Sequence, residues 1–566
     1  MPAAYAPDYA SYNWTGAPSD YTQSTNPDLG GDSRVENLNK WFQAGDQAYI
    51  MVSAAMVMVM VPGLAFLYSG LARRKSALSM IWACMGSMSV VSFQWYFWGY
   101  SLAFSPTATN GFIGNLHNFG LMKTLASPSP GSPLVPSLLY AFYQMQFCAV
   151  TAAIVMGAVA ERGRLLPAMV FTFFWATLVY CPVACWVWNV NGWAMKYGVM
   201  DYAGGGPVEI VSGMTALAYS MVLGRRHERM MVNFRPHNVS LILLGTVFLF
   251  FGWLGFNGGS AFGANLRAVM ACWNTYLTAS FAAMTWVLLD WRLARKWSMV
   301  GWCSGTISGL VAATPASGFL PPWASVILGI VTGVVANYST KLKYWMRIDD
   351  TMDVFAEHGI AGIVGLIFNA LFGSDAIVSL DGVNVGLMNS TTGTAVGGWI
   401  IGNYRQLYIQ VAYIVACSAY TFVVSAIIAY AINLIPGLHL RASEQAELLG
   451  MDDDQMGEFA YDYVEVRRDY LAWTPQKADQ DEKDVVLSRR HLYGCCEHSG
   501  MVDDSNAEPK ENGNDSSPSH TSSHTHIPSP GQGEQDNGIL PHSIAPVSQP
   551  APTLETSSPE KIGNSR

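Results

Sequence analysis

The chain has 566 residues, of which 51% are hydrophobic and only 13% charged, about half the charged share of an ordinary soluble domain (roughly 25%). With 19 Trp, 27 Met and 53 Gly, the composition excludes an ordinary soluble multidomain enzyme, and the absence of a basic domain excludes a nucleic-acid binder. The net charge of −9 is an average over two unlike parts: residues 437–566 hold 10 Lys and Arg against 23 Asp and Glu, whereas the rest holds 21 against 17.

Residues 1–46 are polar and rich in Tyr, Ser, Asp and Pro. They lack the basic start and apolar core of a cleaved signal peptide, so the first apolar run is read as the insertion signal. Repeated apolar runs, each near the roughly 20 residues needed to cross a bilayer, predict an all-α polytopic membrane protein. Eleven transmembrane helices are expected, at about 47–70, 76–104, 136–160, 166–188, 205–224, 237–257, 267–290, 300–313, 320–340, 354–373 and 403–435. The eleven-helix membrane domain is therefore 47–435. It is followed by a regulatory region at 436–499 and a Ser-, Pro-, His- and Asn-rich tail at 500–566 with little to bury, read as disordered. Cys84, Cys148, Cys181, Cys185, Cys272, Cys303 and Cys417 sit inside apolar segments. They form no disulfide framework and no CxxC pair, so neither a metal nor a cofactor is expected.

Charge placement orients the spans. Alternate connections carry Arg73, Arg74 and Lys75; Arg162 and Arg164; Arg225, Arg226, Arg229 and Arg235; Arg292, Arg295 and Lys296; and Lys341, Lys343 and Arg347. The opposite connections offer little beyond Lys123, Lys196, Arg267 and Arg405. Positive residues remain cytosolic, so the N-terminus is expected outside the cell and the C-terminus inside, which requires an odd number of spans. Asn13-Trp14-Thr15 is then an external glycosylation sequon. The Ser-Pro pairs at Ser517, Ser529 and Ser558 are candidate kinase targets, and the tail is a place for a kinase or regulatory protein to act.

Ionisable residues inside a membrane are costly and mark pathways more often than packing. His358 is the one histidine deep in an apolar span. When Asp201 is aligned with Asp350, Glu209 falls on His358, Gly213 on Gly362 and Leu217 on Leu366. A step of five spans likewise sets Pro62-Gly63-Leu64-Ala65-Phe66 in span one against Trp253-Leu254-Gly255-Phe256-Asn257 in span six. Because five spans reverse the orientation of the next five, the two five-helix halves are inverted repeats, with a final long helix added. The pseudo-two-fold axis predicts that Glu209 and His358 meet near the midplane. Asp201 and either Asp350 or Asp353 stand where they would cap the entering helices, a structural role rather than substrate contact. The plainer alternative for Glu209 and His358 is a satisfied polar pair tying two helices together.

The stretches Val61-Pro-Gly-Leu-Ala-Phe-Leu-Tyr-Ser-Gly-Leu, Gly157-Ala-Val-Ala-Glu-Arg, Asp201-Tyr-Ala-Gly-Gly through Gly213, Trp253-Leu-Gly-Phe-Asn-Gly-Gly-Ser and Asp353-Val-Phe-Ala-Glu-His-Gly occur in that order. Together they resemble the ammonium transporter (Amt/Mep/Rh) family. The resemblance runs from about residue 41 to about 470, and the tail looks most like the fungal Mep branch. It implies the Amt/Mep/Rh fold, a homotrimer in the plasma membrane, and one pore per subunit. By matched position it implies a stacked gate of Phe147 and Phe256 and an external recruitment site at Trp188 and Ser260, with Phe147 beside the substrate. Glu209 and His358 take the family's paired-histidine positions. Glu209 departs from the commoner histidine, an exchange shared by some fungal Mep proteins.

The chemistry these residues supply suits ammonium. Trp188 offers cation–π attraction, about 0.5–2 kcal/mol depending on desolvation. Ser260 offers a directed acceptor, which an N–H donor uses better than a spherical ion does. A dry lumen favours the loss of the cation's proton. Ammonia then crosses while the Glu209/His358 pair relays the proton, imidazole having an ordinary pKa of about 6.5. Two alternatives stand beside uptake: an ammonium sensor signalling through its tail, and an Rh-like gas channel. The stretch Gly204-Gly205-Gly206 is no phosphate loop, because the following Gly-Lys-[Ser/Thr] is missing.

Overall fold

A computed structural model describes residues 37–125, 127–227, 235–382 and 397–461, together with Arg34. The Asn13 sequon, the Ser-Pro pairs and the 500–566 tail lie outside the described residues. All described residues belong to one compact unit, Met1–Trp473.

Eleven long helices occupy the predicted positions among the described residues. They are α1 (Ala44–Leu71), α2 (Ala77–Gln94, continued through Trp95–Gly99 and Tyr100–Phe104), α3 (Ser137–Val155), α4 (Leu165–Trp175, continued through Ala176–Tyr180 and Cys181–Trp188), α5 (Gly205–Ile210 with Val211–Leu223), α6 (Val239–Gly259), α7 (Leu266–Ala294), α8 (Met299–Ala316), α9 (Pro322–Ser339), α10 (Phe355–Ile360 with Ala361–Phe372) and α11 (Arg405–Asn433). Two short helices follow, α12 (Glu444–Leu449) and α13 (Met451–Gln455).

Nine of the eleven are, among the described residues, both long and apolar enough to cross a membrane; α7 and α8 are the two outside that set. The reason is local. The buried face of α7 carries Asn274, Thr275 and Thr278, and its ends carry Arg267, Asp290 and Arg292. The helix α8 is rich in Gly, Ser and Thr and is enclosed by its neighbours. A helix that meets protein rather than lipid is not required to be uniformly apolar. It also runs further than the sequence suggests, through Pro315, to Ala316.

The packing pairs repeat-related elements. The helix α1 lies along α6, and α5 meets the first turn of α10. Both α5 and α10 open with a π-helical turn, Gly205–Ile210 and Phe355–Ile360, and these two turns hold Glu209 and His358. Such widened turns are uncommon in helices and recur at functional positions. The crossing is reciprocal. A Cβ placed on Gly213 would collide with the backbone of Gly359, and one placed on Gly362 would lie 2.7 Å from the Glu209 Cβ. Glycine at both aligned positions is what lets the two helices touch backbone to backbone.

Candidate functional site

A chain of side chains leads from one end of the helix bundle to the other. At the first end, Trp188 closes α4 and stands edge-on to Phe147 of α3, their ring centroids 6.1 Å apart. Phe147 is fully buried and stacks on Phe256 of α6, centroids 3.9 Å apart and planes inclined by 22°. One turn beyond Phe256, the Ser260 hydroxyl donates to the Phe256 carbonyl at 2.8 Å. The Tyr143 hydroxyl lies 3.4 Å from the Ser260 oxygen and 2.6 Å from that same carbonyl. The Ser260 proton is thus engaged, and its oxygen turns lone pairs to whatever comes next to it.

Beyond the stacked rings, Trp253 packs against Phe256 and donates its Nε1–H to the Thr314 hydroxyl at 2.8 Å. Thr314 neighbours Glu209. Glu209 has no solvent exposure, and its Oε2 lies 2.8 Å from His358 Nδ1, with His358 itself 3% exposed. The meeting of aligned residues 149 apart in the chain follows from the reciprocal glycine crossing. Glu209 Oε1 is buried with no hydrogen-bond partner among the described residues. A buried carboxyl oxygen in that state is placed to accept from something that passes, or, when protonated, to donate to it.

The aspartates act on backbone. Asp201 accepts from the N–H groups of Gly204, Gly205 and Gly206 at 2.6–3.0 Å, and its Oδ2 also takes the Tyr413 hydroxyl. It thereby ties down the irregular entry to α5. In the second repeat Asp350 takes this part, accepting from Phe355 N at 2.8 Å. Asp353 instead adopts a positive φ of 55° and pairs with Lys343 Nζ at 2.7 Å. Its carbonyl, not its carboxylate, receives the Glu357 N–H.

At the second end the basic connections converge. Glu161 accepts from the Arg73 backbone N–H at 2.7 Å and from Arg226 Nη1 at 2.6 Å, and Arg226 also clasps both carboxylate oxygens of Asp349. Arg162, fully buried, donates to the carbonyls of Gly224 and Asp349 and to the Thr351 hydroxyl. Burial pushes the Asp349 carboxyl up, but Arg226 and Arg162 outweigh it and hold the group at about 2.

The segment after α11 docks on this platform. The backbones of Arg162 and Ala442, and of Arg164 and Leu440, are joined by hydrogen bonds of 2.9 Å. Arg73 Nη2 donates to the Glu447 carbonyl, and the buried Glu447 carboxylate takes Arg441 Nε and the His227 backbone N–H. Asp452, 1% exposed, accepts from the N–H groups of Leu78 and Ser79 at 3.0 and 2.7 Å. It caps the start of α2 from a distant part of the chain.

Sequence reasoning did not anticipate Thr314, Tyr143, Arg226, Asp349, Glu447 or Asp452 in these parts. Charge placement put Arg73, Arg162 and Arg226 on one side of the membrane, but neither it nor the Gly157-Ala-Val-Ala-Glu-Arg stretch showed that they meet around Glu161 and Asp349. Asp452 opens the acidic run Asp452-Asp453-Asp454, and it alone of the three is buried.

Comparison with known proteins agrees with this geometry. The chain is 51% identical over 458 residues to Ammonium transporter 2 of Schizosaccharomyces pombe, spanning 81% of this chain and 88% of that one. It is 54% identical over 433 residues to Ammonium transporter MEP3 of Saccharomyces cerevisiae, spanning 76% and 86%. Among solved structures it resembles Saccharomyces cerevisiae Mep2 at 45% identity with a TM-score of 0.70, covering 77% of this chain and 97% of that one. The sequence model of the Ammonium Transporter Family matches residues 48–461. The chain belongs to the ammonium transporter family.

Proposed function

We propose that the chain takes up ammonium across the plasma membrane, as a homotrimer with one pore per subunit and all eleven helices crossing the bilayer. The end holding Trp188 and Ser260 faces outside, and the end holding the basic connections and the docked segment faces the cytosol, as positive residues favour. Trp188 and the lone pairs of Ser260 capture the cation. The stacked Phe147 and Phe256 keep a hydrated ion from running straight through. Past them the cation gives up its proton, and neutral ammonia continues.

The observation that carries this reading is the buried 2.8 Å contact between Glu209 and His358 beneath the stacked rings. An ionised Glu209 beside an imidazolium and a protonated Glu209 beside neutral His358 have equal net charge. They differ only by one proton moved along the contact, so the pair passes a proton without exposing a new charge to the lumen. The proton left outside the apolar stretch enters through Glu209, leaves through His358 and rejoins ammonia on the cytosolic side. Ammonium-driven current from the reconstituted chain across a range of pH, for wild type, Glu209→Gln and Glu209→His, tests this. Current that moves with pH differently in each variant is expected. Identical profiles in all three remove the proton role.

The docked segment regulates the pore. It bridges the connections that follow α1, α3 and α5, and those connections anchor helices lining the pore. Truncation after residue 440 at equal surface expression is expected to change transport, and wild-type transport in that chain would defeat the assignment.

A further inference from the structure

One buried acid takes no part in the Glu209–His358 relay. Glu357 precedes His358 on the π-helical turn of α10 and is only 8% exposed. It lines a narrow cavity at the basic end of the bundle, together with His358, Tyr68 and Leu71 of α1, Ile242 of α6 and Ser304 of α8. The cavity is small, and its lining reaches from His358 of the relay to the last turn of α1 and the first turns of α6 and α8, the side of the basic mouth. The Ser304 hydroxyl neighbours the Glu357 carboxylate. His358 has Nδ1 engaged by Glu209, which leaves Nε2 as the ring atom able to exchange a proton with the cavity.

We propose that Glu357 forms an exit site for ammonium, the point where the cation is rebuilt and held before release. The inference rests on the proposed transport of ammonium. Ammonia reaching the cavity takes the Nε2 proton of the His358 imidazolium, forming a fourth N–H bond with its lone pair as the ring N–H bond breaks. The ring is left as the neutral Nδ1–H tautomer, and its return to the Nε2–H tautomer frees Nδ1 to take the next proton from the Glu209 side. The new ammonium sits against the Glu357 carboxylate and the Ser304 oxygen, then leaves through the mouth. Without an anion there, the cation would form in an apolar cavity at high cost, and the reverse proton transfer would win. A carboxylate at this place shifts that equilibrium toward the cation. The other charged or titratable groups facing Glu357 are Tyr68 from α1, Cys303 from α8, and Asp350, Asp353 and Lys343 from the segment before α10. Of these, Lys343 is already paired with Asp353.

The test uses the full chain in proteoliposomes, with an ammonium chloride jump on the Ser260 side and the pH of the exit side varied. Glu357→Gln keeps the shape and removes the charge. Its peak current is expected to fall about tenfold or more, the weight of a lost hydrogen bond to a charged group. Its dependence on exit-side pH is expected to flatten, while the half-saturating ammonium concentration on the entry side stays within about twofold of wild type. Glu357→Asp keeps the charge and draws it back by one methylene; it is expected to retain the exit-side pH dependence with a reduced current. Glu357→Gln with wild-type current and an unchanged exit-side profile overturns the proposal. Should Glu357→Gln fail to assemble, Glu357→Asp decides: a profile indistinguishable from wild type in both amplitude and pH dependence overturns it. A wild-type chain giving no ammonium current fails the transport reading instead, and the two failures are thereby distinct.

Discussion

The attachment of the docked segment is where a single side chain has the most calculable effect. Asp452 receives two backbone N–H groups from the first turn of α2, at 2.7 and 3.0 Å, in a place almost closed to water. Replacing an N-cap acceptor by alanine costs about 1 kcal/mol, and each hydrogen bond made to an ionised group contributes about 1.5–3 kcal/mol. Once the segment lifts away, water reaches the freed N–H groups and returns part of that. The net weakening of docking for Asp452→Ala is therefore about 2–3 kcal/mol, a factor of roughly 30–150 in the docked-to-free ratio. Asp452→Asn retains one acceptor oxygen and should lose about half as much. Hydrogen exchange in detergent reads this directly at two amides. The Ser79 amide donates to Asp452, and the Ala442 amide donates to Arg162. Both should exchange faster in Asp452→Ala by a factor of that order, with Asp452→Asn between it and wild type, while amides in the middle of α3 stay protected. Unchanged protection of Ala442 in Asp452→Ala would show that the cap does not hold the segment.

Four further outcomes are expected. Gly362→Ala places a methyl group against Glu209 Cβ; the crossing must widen at a cost of about 1–3 kcal/mol, and ammonium current should fall at least tenfold in protein that still assembles, as measured in proteoliposomes. Gly450→Ala puts a Cβ into the Lys75 backbone at a φ of 121°, so the same exchange experiment should show faster exchange at Ala442 with α2 intact. Ser260→Ala removes the outward lone pairs and should raise the half-saturating ammonium concentration about tenfold, near 1.4 kcal/mol, with maximal current changed less. Asp349 is held at about 2 against an ordinary value of 3.8, which stabilises the folded chain by about 2 kcal/mol above pH 4. That contribution fades as pH drops from about 4 to about 2. Asp349→Asn should lower the melting temperature at neutral pH and remove that part of the acid dependence in a thermal scan.

How far the sequence was legible depends on the kind of signal involved. Span positions came from apolar runs, and α7 and α8 show the limit: the buried face of α7 and the enclosed body of α8 drop the uniform apolarity that lipid demands. The Glu209–His358 contact was legible because an inverted repeat converts an alignment into a spatial prediction. The Asp201 cap was legible from its place before Gly204-Gly205-Gly206, but its counterpart was not. Asp350 and Asp353 are both acidic and close to α10, and only the backbone turn at Asp353, with its positive φ, decides which one reaches the helix. The platform was least legible. Glu161, Arg226 and Asp349 come from three connections far apart in the chain, and nothing in local composition distinguishes a buried arginine from one in water. Asp452 was hidden in the same way, since a run of three acids looks solvated unless a helix start is known to lie against it.

The scaffold around Glu209 and His358 is nearly two-fold symmetric, with matching π-helical turns, matching glycines and matching aspartate caps. Two identical residues on such a frame would be equal resting places for a proton, and the centre of the pathway would have no sense of direction of its own. Glutamate facing histidine breaks that equality. The backbone reads the same from either side of the membrane, while the proton meets an uneven step, and which way the step tilts is set by two side chains rather than by the fold.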